Sequence, residues 1–143
     1  KRTREEMLED FIAAYNYLKK HENCSGKIGV VGFCFGGWIS NAMAVRVSEL
    51  LAAVPFYGGQ PHESEVSQIN ASLLLHYAGL DQRVNAGWPA YEKALLENKK
   101  TFEAHFYSDV NHGFHNNTTP RYDEKAATLA WERTLTFFKE KLS

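Results

Sequence analysis

Residues 32–37 read Gly32-Phe33-Cys34-Phe35-Gly36-Gly37. Ahead of them, Lys27 to Phe33 is a short apolar run with β-branched residues, which predicts a buried strand at about 27–32. Behind them, Phe35 to Val47 is apolar on most faces, which predicts a well-buried helix. A G-x-C-x-G segment between strand and helix is the setting of a nucleophile elbow, with cysteine where serine usually stands. So sharp a turn holds its central residue in a strained conformation. Side chains two positions to either side would collide with it, so Gly32 and Gly36 suit those places. The following helix points its N-terminus at the sulfur, and its free N–H groups and dipole favour a thiolate. The N–H of Phe35 is then one oxyanion-hole donor. Taken alone the hexapeptide is a weak signal, because a buried cysteine usually serves as a small apolar residue.

The rest of the chain supplies a sheet around this turn. Thr3 and Glu6 have capping-box spacing. Met7, Phe11, Ala14 and Leu18, with Leu8, Ile12 and Tyr15 beside them, give the period of a helix over about 4–21. Leu51 to Tyr57 and Ala71 to Tyr77 read as further strands. Asn85 can cap a helix over about 86–98, with Pro89 near its first turn. Phe102 to Tyr107 is the fourth strand. A last helix is expected over about 121–141, with Ala127, Trp131, Leu135, Phe138 and Leu142 along one side. Strands alternating with helices imply an α/β fold: a parallel sheet with helices on both faces. Four strands are few for that architecture, which suggests that part of the fold lies elsewhere.

A nucleophile on such a turn needs a base, and the base needs an orienting carboxylate. In this architecture they follow in the order nucleophile, acid, histidine. Ala78-Gly79-Leu80-Asp81 directly follows one predicted strand, and Asp109-Val110-Asn111-His112-Gly113-Phe114 follows another. Both fall in loops after strands, where parallel sheets bind ligands. Cys34, Asp81 and His112 are therefore the candidate catalytic residues. Asp109 is a rival acid, although it lies only three residues from His112 in the same loop. Asp81 could instead cap a turn. His112 and His115 with His105 or His62 could hold a metal, but their spacing matches no standard site.

Composition narrows the function classes. The chain has 143 residues, enough for one domain, and 44% are apolar, enough for a core. A net charge of −1 points away from nucleic acid, and no apolar run is long enough to span a membrane. Cys24 and Cys34 flank a predicted strand, too far apart for a disulfide, so both thiols are expected reduced, as in a cytoplasmic protein. The first residues, KRTREEMLED, are charged, do not begin with Met and lack a signal-peptide core.

With these motifs in place, the sequence resembles the dienelactone hydrolase family, a branch of the α/β-hydrolases. The resemblance is carried by residues 32–37, by Pro55-Phe56-Tyr57-Gly58-Gly59, by Ala78 to Asp81, by Asn111 to Phe114 and by Trp131 to Phe138. It implies the C-terminal half of an α/β-hydrolase domain and a Cys34–His112–Asp81 triad acting on a small ester or lactone, with no cofactor or metal. It also implies that Tyr57 and Phe114 lie at the substrate pocket. Family members are longer, and their N-terminal half supplies further strands and a second oxyanion donor. The family arginine that follows the catalytic histidine and holds a substrate carboxylate falls at Asn116, with Arg121 a little beyond. Three expectations follow. Either a missing N-terminal segment or a second copy covers the exposed sheet edge. The main alternative is a truncated, inactive hydrolase fragment that survives as a folded or self-associating module. A redox-sensing thiol is a third reading, without a resolving cysteine in reach.

Overall fold

The computed structural model describes residues 1–143. Its sheet has four parallel strands in the order of the chain: β1 (Gly29–Phe33), β2 (Ala52–Phe56), β3 (Ser72–Ala78) and β4 (Phe102–Tyr107). Gly29 pairs with Ala52, Ala52 with Ser72, and Leu73 with Phe102. β1 has a neighbour on one side only.

Alternation along the strands divides the core in two. Ala53, Leu73, Leu75 and Tyr77 face one layer, with helices α1 (Arg4–Lys20), α2 (Phe35–Arg46) and α4 (Trp88–Glu97). Ala52, Val54, Phe56, Leu74 and Ala78 face the other, covered by helix α5 (Glu124–Leu142). The expected α/β architecture, with helices on both faces, is the one observed.

Several local expectations are corrected. α1 begins with the Thr3–Glu6 capping box, but it buries Leu8 and Tyr15, while Phe11 and Leu18 face outward. Asn85 caps nothing. It ends the single turn α3 (Gln82–Asn85), and its side chain donates to the Ala78 carbonyl. α4 starts from Gly87, with proline in its first turn. α5 starts later than expected, where the Asp123 carboxylate accepts from the Ala126 N–H. Its buried side is Ala126, Ala127, Ala130, Thr134 and Phe137, whereas Trp131 and Leu135 are 37% and 53% exposed. A 3-10 turn at Glu63–Gln68, not expected from the sequence, bridges β2 and β3.

The reason for the rotation of α5 is polar. His76 is fully buried on β3, where its ring bonds Tyr107 on β4 at 2.9 Å and Thr134 on α5 at 3.0 Å. Thr134 donates its own hydroxyl proton to the Ala130 carbonyl, so it accepts from His76 Nε2–H. Nδ1 of the neutral ring then accepts from the Tyr107 hydroxyl, which itself receives a hydrogen bond from Arg133. A buried polar group must find partners, and the small Ala126, Ala127 and Ala130 let the helix approach closely enough to supply them.

Burial holds the His76 pKa down at about 3, with the neighbouring positive groups a lesser cause. The folded state keeps the ring neutral, while the unfolded chain protonates it near its ordinary value of 6.5. The stabilisation is complete above that value and is lost as pH falls from 6.5 toward 3. Over that window His76 should cost about 1.4 kcal/mol of stability per pH unit. Denaturant melts of the wild type and His76→Gln between pH 7 and 4.5 measure this, and the variant should show the shallower decline.

Candidate active site

The turn between β1 and α2 carries the cysteine. Cys34 has φ +56° and ψ −115°, a conformation rare for any residue but glycine. Its N–H donates to the Phe56 carbonyl at 3.1 Å and its C=O accepts from Gly37 and Trp38, so both sides of the turn are held. Gly32 is required because a Cβ there would lie 2.0 Å from the Gly36 carbonyl oxygen. A Cβ on Gly36 itself would meet nothing, contrary to the expected symmetry of the pair. The second glycine that matters is Gly37, where a Cβ would lie 2.6 Å from the Phe56 carbonyl oxygen and 2.8 Å from Gly58 Cα. Phe35 is the first residue of α2, so its N–H has no acceptor within the helix and is free to meet an oxyanion.

Asp81 and His112 come together in front of this turn. His112 Nδ1 lies 2.6 Å from Asp81 Oδ2, and the other oxygen, Oδ1, accepts from the Val84 N–H. The Asp81 side chain is almost fully buried, while His112 stays partly open to the cleft. Asp109 is exposed, adopts φ +60° in the turn after β4 and does not bond His112. Cys34, Phe35, Tyr57 and His112 line a common cleft of about 180 Å³. Tyr57 has φ +37°, its N–H donates to the His76 carbonyl, and its ring lies 4.8 Å from that of His112. Burial and the adjacent Cys34 push its phenol well above the ordinary range, so it remains a neutral O–H.

Two expectations change here. Phe114 does not line the cleft: it is fully buried beneath it, packed on Tyr57 and Tyr107 at 5.3 and 5.1 Å between rings. It shapes the floor by supporting Tyr57. The Cys34 thiol is also not biased toward thiolate. Partial desolvation of the sulfur at the base of the cleft pushes its pKa up, although the residue stays open to solvent, and the charges of Arg121 and Arg83 oppose this more weakly. At neutral pH the resting group is a thiol that needs a base.

Sequence reading noted Arg121 but missed the two cations that line the cleft. Arg4 and Arg83 line it. Arg121 reaches back from beyond the histidine loop, its guanidinium about 3.4 Å from where a Gly113 Cβ would sit. None of the three pairs with a carboxylate. Arg4 lies instead over the Phe35 and Trp38 rings, at 5.9 and 5.4 Å. For Arg83, its position two residues past Asp81 was the available signal. No three His, Cys, Asp or Glu side chains converge as metal ligands, and no helix is long and apolar enough to cross a membrane.

A strand–turn–helix carrying a strained residue, followed by an acid loop and a histidine loop, describes an α/β-hydrolase. The chain belongs to the dienelactone hydrolase family, whose model matches residues 1–142. It is 29% identical over 134 residues to a carboxymethylenebutenolidase of Pseudomonas putida, covering 90% of this chain and 55% of that one. It is 34% identical over 138 residues to Protein usf of Aquifex pyrophilus, covering 93% of this chain and 60% of the relative. The chain thus spans a little over half the length of these relatives. In fold it superposes, with a TM-score of 0.87 and 24% identity, on a dienelactone hydrolase-like promiscuous phosphotriesterase from metagenomic libraries, covering 98% of this chain and 63% of that one.

The accessibility of the two thiols differs in a measurable way. Cys34 is exposed, whereas Cys24 is partly buried and accepts the Gly26 N–H. Iodoacetamide with peptide mapping should modify Cys34 well ahead of Cys24. Because the Cys34 pKa is raised, its labelling rate should still be climbing past pH 9.

Proposed function

We propose that this chain carries the catalytic half of a carboxylic ester or lactone hydrolase, acting through Cys34, His112 and Asp81. The observation that carries this reading is the 2.6 Å bond between Asp81 and His112 at the cleft that Cys34 lines. Asp81 accepts the Nδ1 proton, which leaves Nε2 unprotonated as the base. As the Cys34 sulfur attacks the substrate carbonyl, its proton passes to Nε2. The carbonyl oxygen becomes an oxyanion facing the Phe35 N–H. Collapse of this intermediate breaks the C–O bond, and His112 returns the proton to the leaving alkoxide. In a lactone that oxygen stays tethered to the acyl thioester. Water, deprotonated by His112, then displaces the sulfur and releases the acid.

Arg4, Arg83 and Arg121 bear on what enters the cleft. Unpaired guanidinium groups favour an anion, and a carboxylate suits their planar donors best. This supplies, from other positions, the cation that the family arginine would give where Asn116 stands here, and it agrees with the carboxymethylene group in the relatives' name. The cleft suits a substrate bearing its own carboxylate.

A second reading is favoured by β1, whose outer edge is unpaired. On it, the 143 residues fold or self-associate through that edge but turn nothing over, and catalysis belongs to a longer protein. An ester assay on the purified chain, with its sedimentation, separates the two.

On the hydrolase reading, Cys34→Ala and His112→Ala should each lower kcat/KM by several orders of magnitude. Arg83→Ala and Arg121→Ala should raise KM for a carboxylate-bearing ester by about tenfold, while leaving a neutral ester nearly unaffected. Equal effects on both esters would argue against an anion-binding cleft.

A further inference from the structure

Asp81 is held on a single helical turn, and what fixes that turn is not obvious from the three proposed catalytic residues. α3 has four residues, too few to be rigid alone. Its Val84 N–H is the group that holds Asp81 Oδ1, so the placement of Oδ2 against His112 depends on where Val84 sits. Two side chains anchor the turn from outside. Asn85 donates to the Ala78 carbonyl at the end of β3. Gln60 Nε2 donates to the Val84 carbonyl at 3.0 Å, with Tyr77 Oη a further 3.4 Å contact. The Gln60 amide oxygen packs against the backbone of Gly87, where a Cβ would come within 2.3 Å of it.

Gln60 is itself tied to the cysteine turn. The preceding Gly59 carbonyl accepts from Asn41 on α2, whose amide oxygen is in turn held by Tyr91 on α4. Gly58 touches Gly37 backbone to backbone. The segment Gly58-Gly59-Gln60 therefore bridges the helix that carries Cys34 and the turn that carries Asp81.

We propose that Gln60 is a positioning residue: through Val84 it sets the Asp81 carboxylate against His112 and keeps that pair in register with the Cys34 turn. The catalytic consequence rests on the hydrolase reading above, but the geometric consequence does not. A hydrogen bond as short as 2.6 Å gives its proton a distinctive downfield resonance, and displacement of a catalytic group by about 1 Å can cost a hundredfold in rate.

The test uses Gln60→Leu, which removes the amide, and Gln60→Glu, which keeps its shape but replaces the donor with a carboxylate. Circular dichroism shows which variants fold. Proton NMR of the wild type should show a downfield imidazole proton that disappears in His112→Gln. In folded Gln60 variants it should weaken or move upfield. Turnover of p-nitrophenyl butyrate should fall about ten- to hundredfold through kcat, with KM within about twofold of wild type. A wild type lacking the downfield proton, or a folded Gln60 variant that keeps it unchanged, overturns the proposal. A wild type that hydrolyses no ester, yet whose resonance depends on Gln60, removes the hydrolase reading and leaves the positioning role standing.

Discussion

Two backbones meet at Gly37 and Gly58 with no side chain between them, and the site is built on that contact. A Cβ on Gly58 would stand 2.2 Å from the Gly37 carbonyl carbon. Without side chains, the start of α2 can settle onto the end of β2. That descent lets the Cys34 N–H reach the Phe56 carbonyl and holds the residue at its positive φ. The strain at Cys34 is thus paid for by neighbours that over-determine it. The same contact sends the chain beyond Tyr57 across the top of the sheet, where it meets both α2 and the acid turn. Either glycine enlarged to alanine would force backbone against backbone, and the damage would reach the cysteine and the aspartate together.

The charges around the site are arranged with the same economy. On one side of the sheet, His76 is kept neutral chiefly by its burial, and Tyr107 and Thr134 satisfy both ring nitrogens. On the cleft side, His112 has one nitrogen committed to Asp81 and the other uncommitted. Two histidines, each on or just beyond a strand, therefore differ by one hydrogen bond: the first is a structural joint, the second is equipped to move a proton. Partial desolvation raises the Cys34 thiol, so the cleft does not rest with a charged sulfur among its arginines.

Much of the fold was legible because it rests on local signals. The apolar runs of β2 and β3 are buried on both faces and left no polar alternation to mislead. The Cys34 turn, Asp81 and His112 were legible because Cys34 follows β1 directly and the other two sit in the short loops after β3 and β4. What could not be read is what tertiary partners decide. α5 has two plausible apolar faces, and the choice between them belongs to His76, 58 residues earlier in the chain. α1 likewise carries two stripes, Met7–Phe11–Ala14–Leu18 and Leu8–Ile12–Tyr15, and only packing on α2 selects the second. Asn85 looked like a cap because its side chain can bond a backbone, which it does, but to Ala78 rather than to its own helix. Phe114 stood beside His112 in sequence, yet strong curvature at Gly113, with φ +86°, turns its ring downward into the core.

The sheet's order in space is its order along the chain, and this bears on how the molecule is made. During synthesis, each strand can add to the edge left by the one before it, with no gap held open for a later arrival. The cysteine turn needs only β1, α2 and the start of β2's exit, so it can take shape early. His112 lies beyond β4, and α5 must still close over His76 behind it. This stretch of nascent chain would therefore form the Cys34 turn well before His112, the base proposed for it, is in place. The final quarter of these 143 residues would both seal the hydrophobic layer and bring His112 to the cleft that Cys34 lines.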